Sequence, residues 1–295
     1  MMVSVMKEKK KKSGKLTTVI LVLILLTGIG IFFYPSFSDW YNSLHQSYAI
    51  TDYDQAVQNN TREENEAMLK AAEEYNAELA QTGNTFTLND AQKEKYNSLL
   101  DVTGTGIMGY INIDKVKIHL PIYHDTTEGV LQIAVGHLAG TSLPVGGKNT
   151  HAVLTGHTGL PSSRLFTDID RLKKGDTFQI VVLDRTLTYK VNDIRTVLPD
   201  ELNSLQIEEG KDLVTLVTCT PYGINTHRLL VTGTRIPNPK NTAKFPSEGW
   251  KKERIRIIMR VLLPVMVALI AAIIVVLILK KKNKKKSGNE KLSGA

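Results

Sequence analysis

The sequence predicts a mainly β fold: a closed barrel of about eight short strands with short helices, preceded by a helical extension and flanked by a transmembrane helix at each end. Between residues 107 and 236, apolar and polar residues alternate in many short segments, as they do in strands. Two apolar segments of 19 residues without charge, 16–34 and 261–279, lie near the chain ends. About 20 such residues cross a bilayer as a helix. Because little helix separates the strands, an antiparallel or mixed barrel is expected.

The positive charge of the chain is concentrated at its two ends. The net charge is +8, but residues 35–250 hold 19 basic and 26 acidic residues, a net charge of −7. Binding to a nucleic-acid backbone needs a basic face on the folded domain, so no nucleic-acid partner is expected. The basic tails 1–15 and 280–295 adjoin the apolar segments. The positive-inside rule therefore places both tails in the cytoplasm and the domain between the two spans outside the cell membrane.

Each apolar segment has an alternative interpretation. The first could be a cleaved signal peptide, but it exceeds the usual length of about 7–15 residues and ends in Ile-Phe-Phe-Tyr-Pro instead of a small-residue cleavage site. The second, with its basic tail, could end a cell-wall sorting signal. The nearest pentapeptide, Phe-Pro-Ser-Glu-Gly at 245–249, has Glu where such signals have Thr. We therefore expect two uncleaved anchors and a membrane-proximal linker over 237–260.

Residues 35–106 are predicted to form the helical extension and a lid region. Trp40, Leu44 and Tyr48 recur every four residues, as on one apolar face of a helix. Thr-Arg-Glu-Glu at 61–64 fits a capping box that begins a second helix. The apolar face of that helix would carry Met68, Ala72, Tyr75 and Leu79.

The lid region and the barrel follow in order. Turn residues surround a short polar helix near 93–100, so 81–106 is predicted to be a mobile surface segment. From residue 109 two strands are expected to pair around a turn at Asp114 and Lys115. The remaining predicted elements are a loop over 136–149, a short helix over 165–172, and strands over 151–155, 178–183, 187–191, 195–198, 212–219 and 228–235.

Cys219, the only cysteine, cannot form an internal disulfide, so its reactivity is of interest. It ends a β-branched run, and Arg228 begins the next strand after a Pro-Tyr-Gly turn. A thiol attacks a carbonyl as thiolate, and a nearby imidazole usually activates it. Of the seven histidines, His157 follows a strand and a glycine in the same strand-end setting, and His227 remains an alternative. Arg228 could stabilise an oxyanion or form a structural ion pair.

These residues and their neighbours resemble the sortases of Gram-positive bacteria, and among them class C, which polymerises pilins. The similarity extends from about residue 107 to 236, and the two anchors and the helical extension also resemble class C. The segments that carry the resemblance are Met-Gly-Tyr-Ile at 108–111, Leu-Pro-Ile-Tyr-His at 120–124, Gly-His at 136–137, Gly-Thr-Ser-Leu-Pro-Val-Gly-Gly at 140–147, His-Ala-Val-Leu-Thr-Gly-His-Thr-Gly-Leu-Pro-Ser-Ser-Arg-Leu-Phe-Thr-Asp at 151–168 and Thr-Leu-Val-Thr-Cys-Thr-Pro-Tyr-Gly-Ile-Asn-Thr-His-Arg-Leu-Leu-Val at 215–231.

The resemblance implies a cysteine transpeptidase with a sortase-type barrel. Cys219 would be the nucleophile, His157 the acid and base, and Arg228 the cation that stabilises substrate and oxyanion. The enzyme would cleave a Leu-Pro-x-Thr-Gly-like sorting signal between Thr and Gly through a thioester. A lysine of another pilin would then resolve the thioester as an isopeptide bond. No metal or organic cofactor is expected.

Its partners would be pilins or surface proteins that carry such a signal. Two alternatives stay open. One is a sortase that anchors surface proteins to a cell-wall precursor, and the other is a non-catalytic, membrane-tethered surface protein.

Class C sortases commonly have a lid with an Asp-Pro-aromatic motif over the cleft. The matching region here reads Thr-Leu-Asn-Asp-Ala-Gln at 87–92. Asp90 fits the motif, but the proline and the aromatic residue are absent. We therefore expect a lid at Asp90 that holds the cleft weakly or not at all.

Overall fold

The computed structural model describes residues 2–239 and, beyond them, residues 259, 260, 263, 264, 266, 267 and 271. The chain divides into two compact units, and the second contains Tyr41 and every later residue up to 239. Most of the predicted second span 261–279, most of the linker 237–260 and the whole tail 280–295 lie outside the described residues.

The first helix, α1, begins at Met2 and ends at Asn59. The predicted span 16–34 and the start of the predicted extension lie in this one helix without a break. From Val19 onward its mean hydropathy reaches 2.3, and it is the one helix among the described residues that is long and apolar enough to cross a membrane. Leu21 and Ile24 expose their side chains, as a lipid-facing helix would. The predicted N-terminal apolar helix is therefore present.

Within the second unit, α1 buries a different face from the one predicted. Tyr48 is 60% exposed, whereas Ile50, Tyr53 and Val57 are buried. The hydroxyl of Tyr53 donates to the Met108 carbonyl oxygen at 3.1 Å and accepts from the Leu183 amide at 2.7 Å. The predicted face was wrong at Tyr48, whereas Trp40 and Leu44 are half-buried; the helix is turned to place Tyr53 between two barrel segments.

The second helix, α2, begins at Arg62 and ends at Thr82. Its predicted capping box is confirmed: the Glu64 amide donates to Thr61 Oγ1 at 3.2 Å, and the Thr61 amide donates to Glu64 Oε2 at 2.7 Å. The predicted face is also confirmed, since Ala72, Tyr75 and Leu79 are buried. Helix α2 thus begins where the sequence indicates and covers the barrel with its apolar side.

Eight strands form a closed mixed barrel, as predicted. Their order around the barrel is β1-β2-β3-β4-β7-β8-β6-β5. The pairs β2–β3 and β4–β7 are parallel and the others are antiparallel. The strands are β1 (Ile107–Ile113), β2 (Ile118–His124), β3 (Val135–His137), β4 (Thr150–Thr155), β5 (Thr177–Val182), β6 (Arg185–Val197), β7 (Asp212–Thr220) and β8 (His227–Ile236). Two short helices are α3 (Asp90–Ser98) and α4 (Glu128–Leu131), and single 3₁₀ turns cover Asp114–Val116, Ile169–Arg171 and Asn203–Leu205.

Three local predictions need correction. The predicted loop over 136–149 begins within β3, which pairs with β2 and β4. The predicted strands 187–191 and 195–198 are one strand, β6, with a bulge between Val191 and Asp193 that bends it without ending it. The predicted helix 165–172 contains only one 3₁₀ turn, at its end.

Strands β4, β7 and β8 are packed on both sides. Ala152, Leu154 and Leu216 belong to the large cluster of buried residues that fills the barrel. Alternate residues face outward, because successive side chains of a strand point to opposite faces. Those outward residues belong to a second cluster, which we call the apolar patch: Val153, Val197, Leu205, Val217 and Leu230. We call the side of the sheet that carries this patch the outer face.

Candidate active site

The order of the strands places the three predicted site residues in one row. Cys219 on β7 lies directly opposite Arg228 on β8. On its other side β7 pairs with β4, with Val217 opposite Thr155, and the pairing continues beyond β4 because the Gly156 amide donates to the Val217 carbonyl oxygen at 3.0 Å. His157 follows Gly156, so the three residues come from the ends of three neighbouring strands, which lie about 4.8 Å apart.

We call these three residues the reactive row, and its members Cys219 and Arg228 lie on the outer face. Cys219 follows Val217 by two residues, so both side chains point to the same side of the sheet. The apolar patch comes next along the strands. Beyond it lies a hydrogen-bonded row formed by His151, Thr215 and Thr232, in which His151 Nε2 is 2.7 Å from Thr215 Oγ1, and Thr215 Oγ1 is 2.8 Å from Thr232 Oγ1.

The backbone at His157 is held tightly while its ring stays accessible. The Phe166 amide donates to the His157 carbonyl oxygen at 3.0 Å. A Cβ atom at Gly156 would lie 2.7 Å from the ring of Phe166, so only glycine fits before His157. The His157 side chain is 26% exposed, and its Nε2 lies 3.7 Å from Glu128 Oε2. The Gly-His pair seen in the sequence therefore fixes where the imidazole emerges.

Arg228 is half-buried and is bound to the β7–β8 loop. Its Nη1 donates to the carbonyl oxygens of Asn225 at 3.3 Å and His227 at 3.2 Å. Within residues 2–239 it forms no ion pair, which disfavours the structural ion pair considered from the sequence. Its side chain leaves β8 on the face of the sheet that carries Cys219, because the two residues are directly opposite.

The alternative base, His227, belongs to a different environment. It lies opposite Thr220, one residue beyond Cys219, so its ring points to the other face of the sheet. Its Nδ1 is 2.9 Å from Thr226 Oγ1. His227 therefore does not share the face of Cys219, which favours His157 as the partner of the thiol.

Two other histidines are held in structural positions. His137 is fully buried; its Nδ1 is 2.9 Å from the Tyr96 hydroxyl and its Nε2 is 2.8 Å from the Ser142 carbonyl oxygen. Burial lowers the pKa of His137 to about 4. His151 is also buried, with Nδ1 at 2.8 Å from the Gln206 carbonyl oxygen, and burial lowers its pKa as well. Both rings are therefore neutral and fully partnered at neutral pH.

The lid region is packed against the barrel through residues other than Asp90. Asp90 is exposed in the first turn of α3, and its carboxylate forms no hydrogen bond or ion pair with any described residue. Phe86, four residues earlier, packs against the apolar patch. Asn84 Nδ2 anchors this part of the chain by donating to the Leu205 carbonyl oxygen at 2.7 Å. Further along, Tyr96 is fully buried, so the segment that we predicted to be mobile has fixed attachments.

Phe86 is the residue that the sequence interpretation missed. A search for an Asp-Pro-aromatic order led to Asp90, although Phe86 is the one aromatic residue between 81 and 95. An aromatic side chain within an otherwise polar segment was the available signal.

A thiol, an imidazole and a guanidinium in a row provide the groups that acyl transfer requires: a nucleophile, a proton carrier and a donor to an oxyanion. Among the described residues, no three or more His, Cys, Asp or Glu side chains are close enough together to hold a metal ion.

The chain is similar to known proteins in sequence and in fold. The model of the sortase domain family matches residues 111–236. Sortase C1 from Streptococcus agalactiae is 51% identical, with a TM-score of 0.64, over 65% of this chain and 100% of that structure. Sortase C from Clostridium perfringens, solved with the C-terminal cell wall sorting motif, is 46% identical, with a TM-score of 0.57, over 65% of this chain and 100% of that structure. Sortase A of Bacillus anthracis is 29% identical over 176 residues, which are 54% of this chain and 82% of that protein.

The matched residues include the whole reactive row, and the aligned structures include class C sortases over their full length. The chain therefore belongs to the sortase family of cysteine transpeptidases and is similar to its class C members.

Proposed function

We propose that this protein is a pilus-assembling sortase that joins pilin subunits through a lysine isopeptide bond. The observation that supports the proposal is the strand pairing at the reactive row: Cys219 on β7 is opposite Arg228 on β8, and His157 follows the end of β4, which pairs with β7. The class C structures among its relatives support a pilin substrate. The C. perfringens structure, solved with the C-terminal cell wall sorting motif, supports a Leu-Pro-x-Thr-Gly-like signal as the donor.

In the first half of the reaction, Cys219 Sγ attacks the carbonyl carbon of the signal threonine as a thiolate. Arg228 donates hydrogen bonds to the oxygen that becomes negative, because a guanidinium stays charged and offers several donors. His157, as an imidazolium, gives its proton to the glycine nitrogen while the Thr–Gly bond breaks. The products are a thioester on Cys219 and a free glycine amine.

In the second half, the ε-amine of a pilin lysine attacks the thioester carbonyl. His157, now neutral, takes the proton that the amine loses, and Cys219 leaves as a thiolate. An isopeptide bond forms and the thiolate–imidazolium pair is restored, so charge and protons balance over the cycle. Arg228 stabilises the oxyanion in both halves.

We place the barrel outside the cell membrane. Helix α1 is the N-terminal anchor, with the basic tail 1–15 in the cytoplasm, 16–34 in the bilayer and the extension 35–106 outside. The catalytic barrel covers 107–236. The apolar segment 261–279 forms the second span, and the basic tail 280–295 returns to the cytoplasm.

We assign the lid contact to Phe86. Its ring packs on the apolar patch, whose member Val217 is two residues from Cys219 on the same face. A substrate that reaches Cys219 along the outer face has to displace this ring. Asp90, although it fits the motif, is exposed and makes no such contact.

The test uses the full-length protein in detergent with a candidate pilin and with a cell-wall precursor mimic. We expect covalent pilin ladders that survive denaturing gels and disappear in Cys219→Ala. Transfer to the wall precursor without ladders would instead indicate a wall-anchoring sortase. Ladders or peptide cleavage that persist in Cys219→Ala would contradict the enzymatic assignment and favour a non-catalytic surface protein.

A further inference from the structure

Glu128 is the charged residue beside the reactive row that the proposed reaction leaves without a role. It begins α4, which precedes β3, and β3 pairs antiparallel with β4 so that Gly136 lies opposite Thr155. The start of β3 is therefore next to the end of β4. This topology brings Glu128 Oε2 to 3.7 Å from His157 Nε2.

The carboxylate is held in position and is accessible. Gln132 Nε2 donates to Glu128 Oε1 at 2.6 Å, one helical turn further along. The Glu128 side chain is 73% exposed, so a second molecule can reach the oxygen that faces His157.

Nearby carboxylates already have cationic partners. Asp125 pairs with Lys93 at 3.5 Å, and Asp168 pairs with Arg164 at 2.5 Å. Within residues 2–239, Glu128 pairs with no lysine or arginine. Its negative charge therefore remains available to a cation supplied by another molecule.

The acceptor in the proposed reaction is such a cation. A lysine amine has a pKa near 10.4 and arrives as an ammonium group at neutral pH. To lose its proton it has to come within about 3 Å of a nitrogen of His157. When it contacts Nε2, the nitrogen that faces Glu128, the ammonium group is within about 7 Å of Glu128 Oε2, which is inside the Debye length of about 8 Å at physiological salt.

We propose that Glu128 is the binding site for the acceptor ammonium group. It holds the cation beside neutral His157, which takes the first proton of the ammonium group and passes it to solvent. His157 is then neutral again when the amine attacks the thioester and loses its second proton, and Glu128 contributes little to the attack of Cys219 on the sorting signal. This inference rests on the proposed function, since it requires an amine acceptor.

The experiment separates the two half-reactions in the full-length protein in detergent. A sorting peptide forms the thioester, which is resolved either by a lysine-bearing peptide or by hydroxylamine, an uncharged nucleophile at neutral pH. The variants are Glu128→Gln and, as a control, Glu74→Gln, which removes the same charge from a side chain that is 66% exposed on α2. The readouts are the rate of release of the glycine product and the acceptor concentration at half-maximal transfer.

For Glu128→Gln we expect this half-maximal concentration to rise about three- to fivefold for the lysine peptide and to stay unchanged for hydroxylamine. The rate at which Glu128→Gln releases the glycine product should match the wild type. For Glu74→Gln, both the rate of glycine release and the half-maximal acceptor concentration should match the wild type. Equal effects on both nucleophiles, or slower glycine release, would overturn the assignment, because Glu128 would then act by positioning His157. An unchanged half-maximal concentration of the lysine peptide in Glu128→Gln would also overturn the assignment. If the wild type formed no hydroxamate at all, the proposed function itself would fail, and this assignment with it.

Discussion

The hydrogen-bonded row and the reactive row are both built from β4, β7, β8 and the residues that follow β4, yet their histidines differ in burial and in partners. His151 is buried, and both of its ring nitrogens have fixed partners in Thr215 and Gln206. His157 is partly exposed, and its Nε2 faces an accessible carboxylate. The connection between β6 and β7 covers the middle of the strands, and this cover ends before Cys219. His151, which this connection covers, is therefore structural, whereas His157 lies beyond the connection and is available for proton transfer.

The largest expected effect on this comparison comes from replacing each of the two histidines, in separate variants, with glutamine. His157→Gln should lower kcat for sorting-peptide cleavage by about 10²- to 10⁴-fold, because the proton carrier is lost. His151→Gln should retain kcat within a few fold in the fraction that remains folded. Peptide cleavage kinetics measures kcat of both variants, and circular dichroism measures the fraction of each variant that is folded. A His151→Gln loss as large as that of His157→Gln would show that the two rows do not differ as described.

A second test removes the partner that fixes His151. Thr215→Val leaves Nε2 of a buried imidazole without a donor and should lower the free energy of unfolding by about 1–3 kcal/mol. Thr196→Val, on an exposed position of β6, is the matched control and should change it by less than about 0.5 kcal/mol. Urea unfolding of the detergent-solubilised protein measures the difference. Equal losses in the two variants would mean that the hydrogen bond to His151 does not stabilise the fold.

The buried histidines should also make stability depend on pH. Burial lowers the pKa of His137 to about 4, so between pH 6.5 and 4 the unfolded chain binds a proton that the folded chain does not. Stability from this group is therefore complete above pH 6.5 and falls as the pH decreases. The loss by pH 5 should be about 2 kcal/mol.

The measurement is the free energy of unfolding of the wild type and of His137→Gln at pH 7 and pH 5. The variant should lose less stability on acidification. Identical losses would show that His137 is not held neutral by its surroundings.

The smallest expected effect concerns the apolar patch between the two rows. Phe86→Ala removes the ring that packs on it and should speed labelling of Cys219 by a soluble thiol reagent about three- to tenfold, because the cover opens more often. Asp90→Ala should leave the labelling rate within about twofold, since its carboxylate contacts no described residue. Faster labelling in Asp90→Ala than in Phe86→Ala would place the lid contact at Asp90.

Much of the barrel follows from local sequence pattern. Alternating residues predict β4, β5, β7 and β8, and a lone cysteine at a strand end points to Cys219. The three-residue strand β3 was missed because it is too short to show a period and is defined by its pairing with β2 and β4. In the sequence, the bulge after Val191 looks like the end of a strand, because Asn192 and Asp193 are polar although they lie in the middle of β6.

The remaining errors concern features that depend on tertiary packing. The buried face of α1 depends on the two backbone groups that Tyr53 contacts in the barrel. The spacing of apolar residues around Trp40 and Tyr48 carries no information about those contacts. Likewise Phe86 acquires its role from Val217 and Leu205, which lie far along the chain. Motif order alone led to Asp90. Residue types predict which groups can react, and the strand register decides which of them meet.

The most direct test of the central proposal is the mass of the protein itself. Full-length protein in detergent is mixed with a Leu-Pro-x-Thr-Gly peptide, quenched in acid and examined by intact and peptide-level mass spectrometry. The account predicts an acyl adduct that ends at the signal threonine, is located on Cys219, is released by hydroxylamine and is absent from Cys219→Ala. Peptide cleavage with Cys219 unmodified, or an adduct that persists in Cys219→Ala, would contradict it.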